Sequence, residues 1–409
     1  MALLVLGIAL ALLAVSLHWV RGRDLPAYVQ VLLKGKSHYL LAGILLGVGF
    51  SSDPEGVHVL QHAQISLMSL FIIWFGLELG IQTEFRMLKK IPSRLLAFDA
   101  TQSVVTFLLT LVLIIFFLPK LARHLLEGAD PFVLASMLSV AASATAPWAQ
   151  GTSPPPSSET ERGFPTQALG NAASILLFGC ISTLLIAHPP ISIANRVFFQ
   201  RTDALFLSLA IGAGTGILLD TALRVESDLK KAAYLVVALA AVAGGLCVSF
   251  DLPALFVGLI AGGWLINVTL RRRDVQTLSE HAHPVIESLF LLVAGSMIGV
   301  RSSDSSLNIR GMAYLAMLLF VSRAIAKTLG VGLLWRLLRP SAGDRPFVGA
   351  WFLPQGSLAI AVCVQPLFVA WEGPLEVVTI IGGTAIAVAL SQAVASTFPF
   401  RNEKMQSEK

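Results

Sequence analysis

Thr145-Ala146-Pro147 and Leu353-Pro354-Gln355-Gly356-Ser357 interrupt two long apolar stretches with residues that cannot continue a helix unchanged. A helix break frees backbone donors and carbonyls, and in hydrocarbon each one is costly unless the protein itself satisfies it. Residues suited to ion chemistry lie on or near these stretches. Thr145, Asn171, Gln355 and Ser357 offer neutral oxygens, and Pro147, Pro354 and Gly356 mark the breaks. Glu78, Asp99, Glu287 and Arg323 are charges set within apolar runs, where each must pair or reach water. Neutral oxygens with freed carbonyls can replace the hydration shell of a monovalent cation. A buried carboxylate would add exchange with protons, because its charge answers to both.

The elements that must carry these residues are membrane helices. Of 409 residues, 55% are hydrophobic and 13% charged, with a mean hydropathy of +0.77; a soluble domain carries about a quarter charged residues. Apolar windows fall near 1–19, 27–50, 61–80, 95–118, 131–148, 166–188, 202–220, 231–248, 252–269, 284–300, 311–335, 347–370 and 375–396. Within 27–50 only residues 39–50 are strongly apolar, because Lys34, Lys36 and His38 interrupt the rest. The reading is an all-α polytopic membrane protein with about 13 transmembrane helices. Residues 1–397 form a single transmembrane domain, and 398–409 a cytoplasmic tail. An external amino terminus and a cytoplasmic carboxyl terminus place most of the 29 basic residues inside, among them Lys89, Lys90, Arg271, Arg272 and Arg273. The broken segments are the fifth and twelfth spans, so they enter from opposite sides. This parity is that of an inverted repeat with two crossed discontinuous helices. Taking spans three to five and ten to twelve as equivalent triplets gives a core from 61–148 and 284–370, the rest serving as scaffold.

Other features read as structural. The net charge of +5 fits basic residues beside anionic lipid rather than nucleic acid. Cys180, Cys247 and Cys363 lie in apolar runs without metal-ligand spacing, as packing residues do. Gly258, Gly262 and Gly263, with Gly212, Gly214 and Gly216, suit close helix packing. Gly151 to Phe164 reads as a proline-rich cytoplasmic loop. His281 and His283, before Pro284, are ordinary boundary histidines or a pH-sensitive contact. No nucleophile triad, phosphate loop or metal cluster appears, so the chain reads as no enzyme, with no cofactor and no metal.

Phe75-Gly76-Leu77-Glu78-Leu79, followed by Glu84 to Lys90, resembles the third-helix signature of the monovalent cation/proton antiporter superfamily. Ser143 to Pro147 is similar to that family's unwound fifth helix, Leu169 to Phe178 to its sixth, and Leu289 to Val300 to its glycine-containing tenth. Ser322 to Gly330 resembles the basic eleventh helix and Leu353 to Val362 the second unwound helix. The resemblance implies a homodimer in a bacterial inner membrane, moving a monovalent cation, with or without coupled protons, by an elevator-like movement of a six-helix core. It also implies a carboxylate at the ion site, and there the chain departs from the pattern. Ala146 stands where relatives carry aspartate, Asn171-Ala172 where Asn-Asp is expected, and Ser357 where an acidic residue often follows the glycine.

Two functions follow from that departure. One is cation transport through Thr145, Asn171 and Gln355 with freed carbonyls; the other is an antiporter-fold sensor, channel or interaction protein without coupled exchange. Arg323 either pairs with Glu78 or another carboxylate, balances the negative ends of the broken helices, or leaves an electropositive cavity for an anion. Lys327, four residues on, reads as an interfacial anchor whose side chain snorkels.

Overall fold

The structure is a computed structural model, and it describes residues 36–50, 54–121, 131–145, 166–185, 192–193, 196–197, 201–302, 309–338, 352–353, 355–365 and 374–397. The first expected span, the loop 151–164, the tail, and Pro147, Pro354 and Ala146 lie outside them. In chain order come α1 (Ser37–Phe50), α2 (Pro54–Ile81), a single turn α3 (Phe85–Leu88), α4 (Ser93–Leu121), α5 (Pro131–Ser143) and α6 (Thr166–Leu185). A two-residue hairpin, β1 (Ser192–Ile193) with β2 (Arg196–Val197), precedes α7 (Arg201–Val225), α8 (Leu229–Ser249), α9 (Ala254–Val268) and α10 (Arg272–Ser302). Next, α11 (Ile309–Ile325) passes through a π-helical turn (Ala326–Val331) into α12 (Gly332–Leu338), and α13 (Ser357–Val364) and α14 (Pro374–Thr397) close the chain.

Among the described residues six helices are long and apolar enough to cross a bilayer, and shorter apolar helices occupy other expected spans. Helix α10 starts well before the expected residue 284 and carries Pro284 inside it. The helix ends are closed locally. Asp228 accepts the Lys230 N–H at 2.9 Å to begin α8. Arg271 donates to Leu223 O at 2.7 Å and Glu226 O at 2.5 Å, covering carbonyls left at the end of α7.

Two helix pairs pack so closely that only glycine fits between their backbones. Gly76 and Gly80 of α2 face Gly258 and Gly262 of α9, and Gly43 and Gly47 of α1 face Gly295 and Gly299 of α10. A Cβ on any of these eight would run into the facing backbone. Gly212 and Gly216 let α7 approach α9 in the same way, whereas Gly214 faces open space. A shift of seven spans exchanges α2 with α10 and α9 with α1, so the two glycine-paired interfaces are one interface met twice. It also exchanges α4 with α11, α5 with α13 and α6 with α14, and the packed pairs α4–α6 and α5–α6 have counterparts in α11–α14 and α13–α14. The inverted repeat read from span parity is present in the packing.

The division into core and scaffold runs differently from the sequence reading. Helices α4, α5, α6, α11, α13 and α14 pack on one another, while α2 and α10 join α1, α7, α8 and α9. The glycine seams are the physical reason, since they bind 61–80 and 284–300 to α9 and α1 rather than to the broken helices.

Candidate functional site

Helix α5 stops at Ser143 in the interior of the helical assembly, with its last carbonyls still to be satisfied. Each of them finds a side-chain donor from a different element. Gln355 Nε2 donates to Ala141 O at 2.6 Å, an Arg323 Nη donates to Ala142 O, and Lys327 Nζ donates to Ser143 O at 3.1 Å. Asn171 closes the run with two bonds to one residue: its Nδ2 donates to Thr145 O and its Oδ1 accepts from Thr145 N, both at 2.8 Å. Asn171 therefore substitutes for the helical ladder that the break removes.

The second break is held in a related way. Gln392 of α14 donates to Gln355 O at 2.9 Å, and Ser391 Oγ donates to Gln355 Oε1 at 3.4 Å. Arg323 joins the two breaks, because its Nε reaches Leu353 O at 3.1 Å and its Nη2 reaches Phe352 O at 2.8 Å. The guanidinium is almost fully buried and spreads its fork over backbone carbonyls, the geometry that a helix C-terminus asks of a cation.

Lys327 lies in the π turn and is 0% exposed. Three oxygens receive its ammonium: Gln102 Oε1 at 2.8 Å, Thr145 Oγ1 at 3.0 Å and Ser143 O at 3.1 Å. The Phe352 ring lies with its centroid 5.7 Å from Nζ. Gln102 then turns its amide toward Asp99, with Nε2 3.3 Å from Oδ1. Asp99 is also buried, and its Oδ2 accepts the Gly170 N–H at 2.8 Å. A Cβ on Gly170 would meet Ser103 Oγ, Asp99 Oδ1 and Gln102 Nε2 within 3 Å, so any side chain there would displace the polar ends of this network. The carboxylate from α4 thus arrives one residue before Asn171-Ala172, beside the position where the sequence lacks an acid.

A second polar cluster gathers around the middle of α10, on either side of Pro284. Ser357, the first residue of α13, donates to Glu287 Oε1 at 2.8 Å. Glu287 Oε2 pairs with Lys36 Nζ at 2.6 Å, and His283 Nδ1 lies 2.7 Å from Glu78 Oε2.

Thr145, Asn171, Gln355 and Arg323 meet at the crossing, Asp99 joins them through Gln102, and Ser357, Glu287 and Glu78 belong to the second cluster. Of the three readings of Arg323, the contacts correspond to the one that sets it on the carbonyl ends of the breaks, while Glu78 lies against His283. Lys327 is not an interfacial anchor. It points into the break, and its i+4 spacing from Arg323 was the signal, since both side chains lie on one helical face. Gln102, Gln392 and Gly170 carried no sequence signal that sets them apart from ordinary span residues. Of the cysteines, Cys247 and Cys363 are buried and Cys180 is exposed.

No protein-family model matches the chain. No curated protein matches it either. Among solved structures the chain is similar to the sodium proton antiporter MjNhaP1 from Methanocaldococcus jannaschii, with a TM-score of 0.58 and 16% identity over 97% of each chain. At that identity the likeness is one of fold.

Proposed function

We propose that the protein exchanges a monovalent cation for a proton across the membrane, with Lys327 and the cation competing for one cage of oxygens. The observation that carries this reading is the ammonium of Lys327 held by Gln102 Oε1, Thr145 Oγ1 and Ser143 O with Asp99 behind Gln102. Hydroxyl, amide and carbonyl oxygens also serve hard monovalent cations. When Lys327 releases its proton, the neutral amine withdraws and a cation takes its oxygens. One proton leaves for each cation that enters, so the charge of the site is unchanged. Asp99 supplies the negative charge that Ala146 and Ala172 do not. Arg323 stays in place and holds the breaks together.

The full reading is a homodimer in a bacterial inner membrane, amino terminus outside and carboxyl terminus in the cytoplasm. The similarity to a sodium proton antiporter supports it at the level of fold. The test is flux in sealed liposomes under an imposed pH gradient, offering Na⁺, K⁺ and Li⁺ in turn. Proton movement driven by one of these ions, and abolished by Lys327→Met, is expected. The second reading is an antiporter-fold sensor or interaction protein, and it is favoured by the fact that Lys327 already fills the cage. Absence of flux for every ion in folded, reconstituted protein would replace the first reading with the second.

A further inference from the structure

Helix α13 is tied to the neighbouring helix set at both ends, and the two ties differ in kind. At its far end Gln365 donates to Leu252 O and accepts from Leu255 N, both at 3.4 Å, with a neutral amide that does not titrate. At its start Ser357 donates to Glu287 Oε1, and this carboxylate is embedded among titratable groups. Its Oε2 lies 2.6 Å from Lys36 Nζ and 3.5 Å from His283 Nε2. The other ring nitrogen of His283, Nδ1, lies 2.7 Å from Glu78 Oε2. Lys36 just before α1, Glu78 on α2 and Glu287 on α10 itself are thus the charged groups that act on His283, and α13 contributes the Ser357 hydroxyl through Glu287.

A neutral imidazole has one N–H, whereas this ring has a carboxylate at each nitrogen; only the imidazolium offers a proton to both. We propose that His283 is a proton-dependent brace for Glu287, which in turn is the positioning residue that latches the start of α13 to α10. With His283 charged, two cations balance two carboxylates and Glu287 stays where Ser357 can reach it. When the ring loses a proton, the remaining N–H stays on Nδ1 with the nearer Glu78. The Nε2 lone pair then faces Glu287, the carboxylate pivots away from the ring about its 2.6 Å contact with Lys36, and Ser357 loses its acceptor. The latch is closed at lower pH and open at higher pH, while the Gln365 tie is indifferent to pH. Its consequence for transport, release of the half-helix beside the oxygen cage, rests on the exchange reading above.

The experiment is amide hydrogen exchange of residues 355–365 in the full-length protein in lipid nanodiscs, across roughly pH 6 to 8 where histidine titrates, corrected for the intrinsic chemical rate. The wild type is expected to show about a tenfold rise in exchange at the start of α13, the loss of one hydrogen bond to a charged group. His283→Gln should show the fast rate at every pH. Ser357→Ala, which removes only a hydroxyl and leaves every charge in place, should do the same and guards against a misfolded His283 variant. A pH-independent wild type, a step that persists in His283→Gln, or low-pH protection that survives Ser357→Ala each overturns the latch. Flux in vesicles is read separately. A step in exchange without flux leaves the latch standing and removes the transport reading, whereas flux without the step does the reverse.

Discussion

Replacing Lys327 by methionine keeps the volume of a fully buried side chain and removes its charge. Gln102 Oε1 loses its donor in the interior, Ser143 O keeps only the Thr145 hydroxyl at 3.4 Å, and Thr145 Oγ1 loses a donor as well. Each buried acceptor left unsatisfied costs about 1–3 kcal/mol, and Asp99 is left without the cation across Gln102. The sum approaches the ~3–5 kcal/mol seen when one member of a buried ion pair is removed. Asp99→Asn alone should cost less, about 1–2 kcal/mol, because an amide oxygen still accepts the Gly170 N–H.

The double variant Asp99→Asn/Lys327→Met removes both charges, and it should sit close to Lys327→Met or above it in stability rather than at the sum. A coupling of at least about 1–2 kcal/mol is expected from groups sharing one buried network. The assay is the apparent melting temperature of detergent-purified protein, read by retention of a monodisperse peak after heating, with identical scan conditions because membrane proteins seldom unfold reversibly. Strict additivity of the single shifts would refute the coupling through Gln102, and with it the account of Asp99 as the charge partner of the cage.

Arg323→Lys replaces a fork on three backbone carbonyls by a point donor; it should lower the melting temperature by several degrees, and Arg323→Ala should lower the yield of folded protein further, both checked by size exclusion. Asn171→Asp puts a carboxylate against Thr145 O, which now receives a donated hydrogen, so a cost of about 2 kcal/mol is expected in the same melting assay, with no gain of exchange activity in liposomes. Gly258→Leu forces α9 away from the Ile73 and Leu77 backbone, whereas Gly214→Ala meets nothing within 4 Å; the first should abolish folded protein and the second should match the wild type in expression and melting.

The spans that the described residues cover, the inverted orientation of the two breaks and the role of Gly258 and Gly262 were legible in the sequence. They rest on composition and periodicity, which a bilayer enforces along each helix separately. The crossing was legible in part. Thr145, Asn171, Gln355 and Arg323 stood out because polar groups in apolar runs need partners, but which partner each would choose depends on helix rotation and tilt. Lys327 shows the difficulty. Counting residues from the end of its span placed the ammonium within snorkelling reach of water, while the π turn and the neighbouring breaks turn it inward instead. Gln102 was invisible for a related reason, since an uncharged amide in a long span gives no sign that it mediates between a lysine and an aspartate.

The two buried cations of α11 and its π turn are balanced by different things, and this separates their roles. Arg323 is matched by carbonyls of Ala142, Phe352 and Leu353, which are fixed backbone groups at the breaks. A helix C-terminus contributes about half a negative charge, and none of it can be withdrawn without unfolding the break. A guanidinium is also the hardest side-chain cation to discharge, and the carbonyls under it are fixed. Lys327 is matched by Asp99 through a side-chain amide, and of its other two oxygens one is a hydroxyl that can rotate. Both partners in that pair can gain or lose a proton when buried. If charge is exchanged at this crossing, the exchange must therefore run through Lys327 and Asp99, while Arg323 keeps the two half-helices crossed throughout.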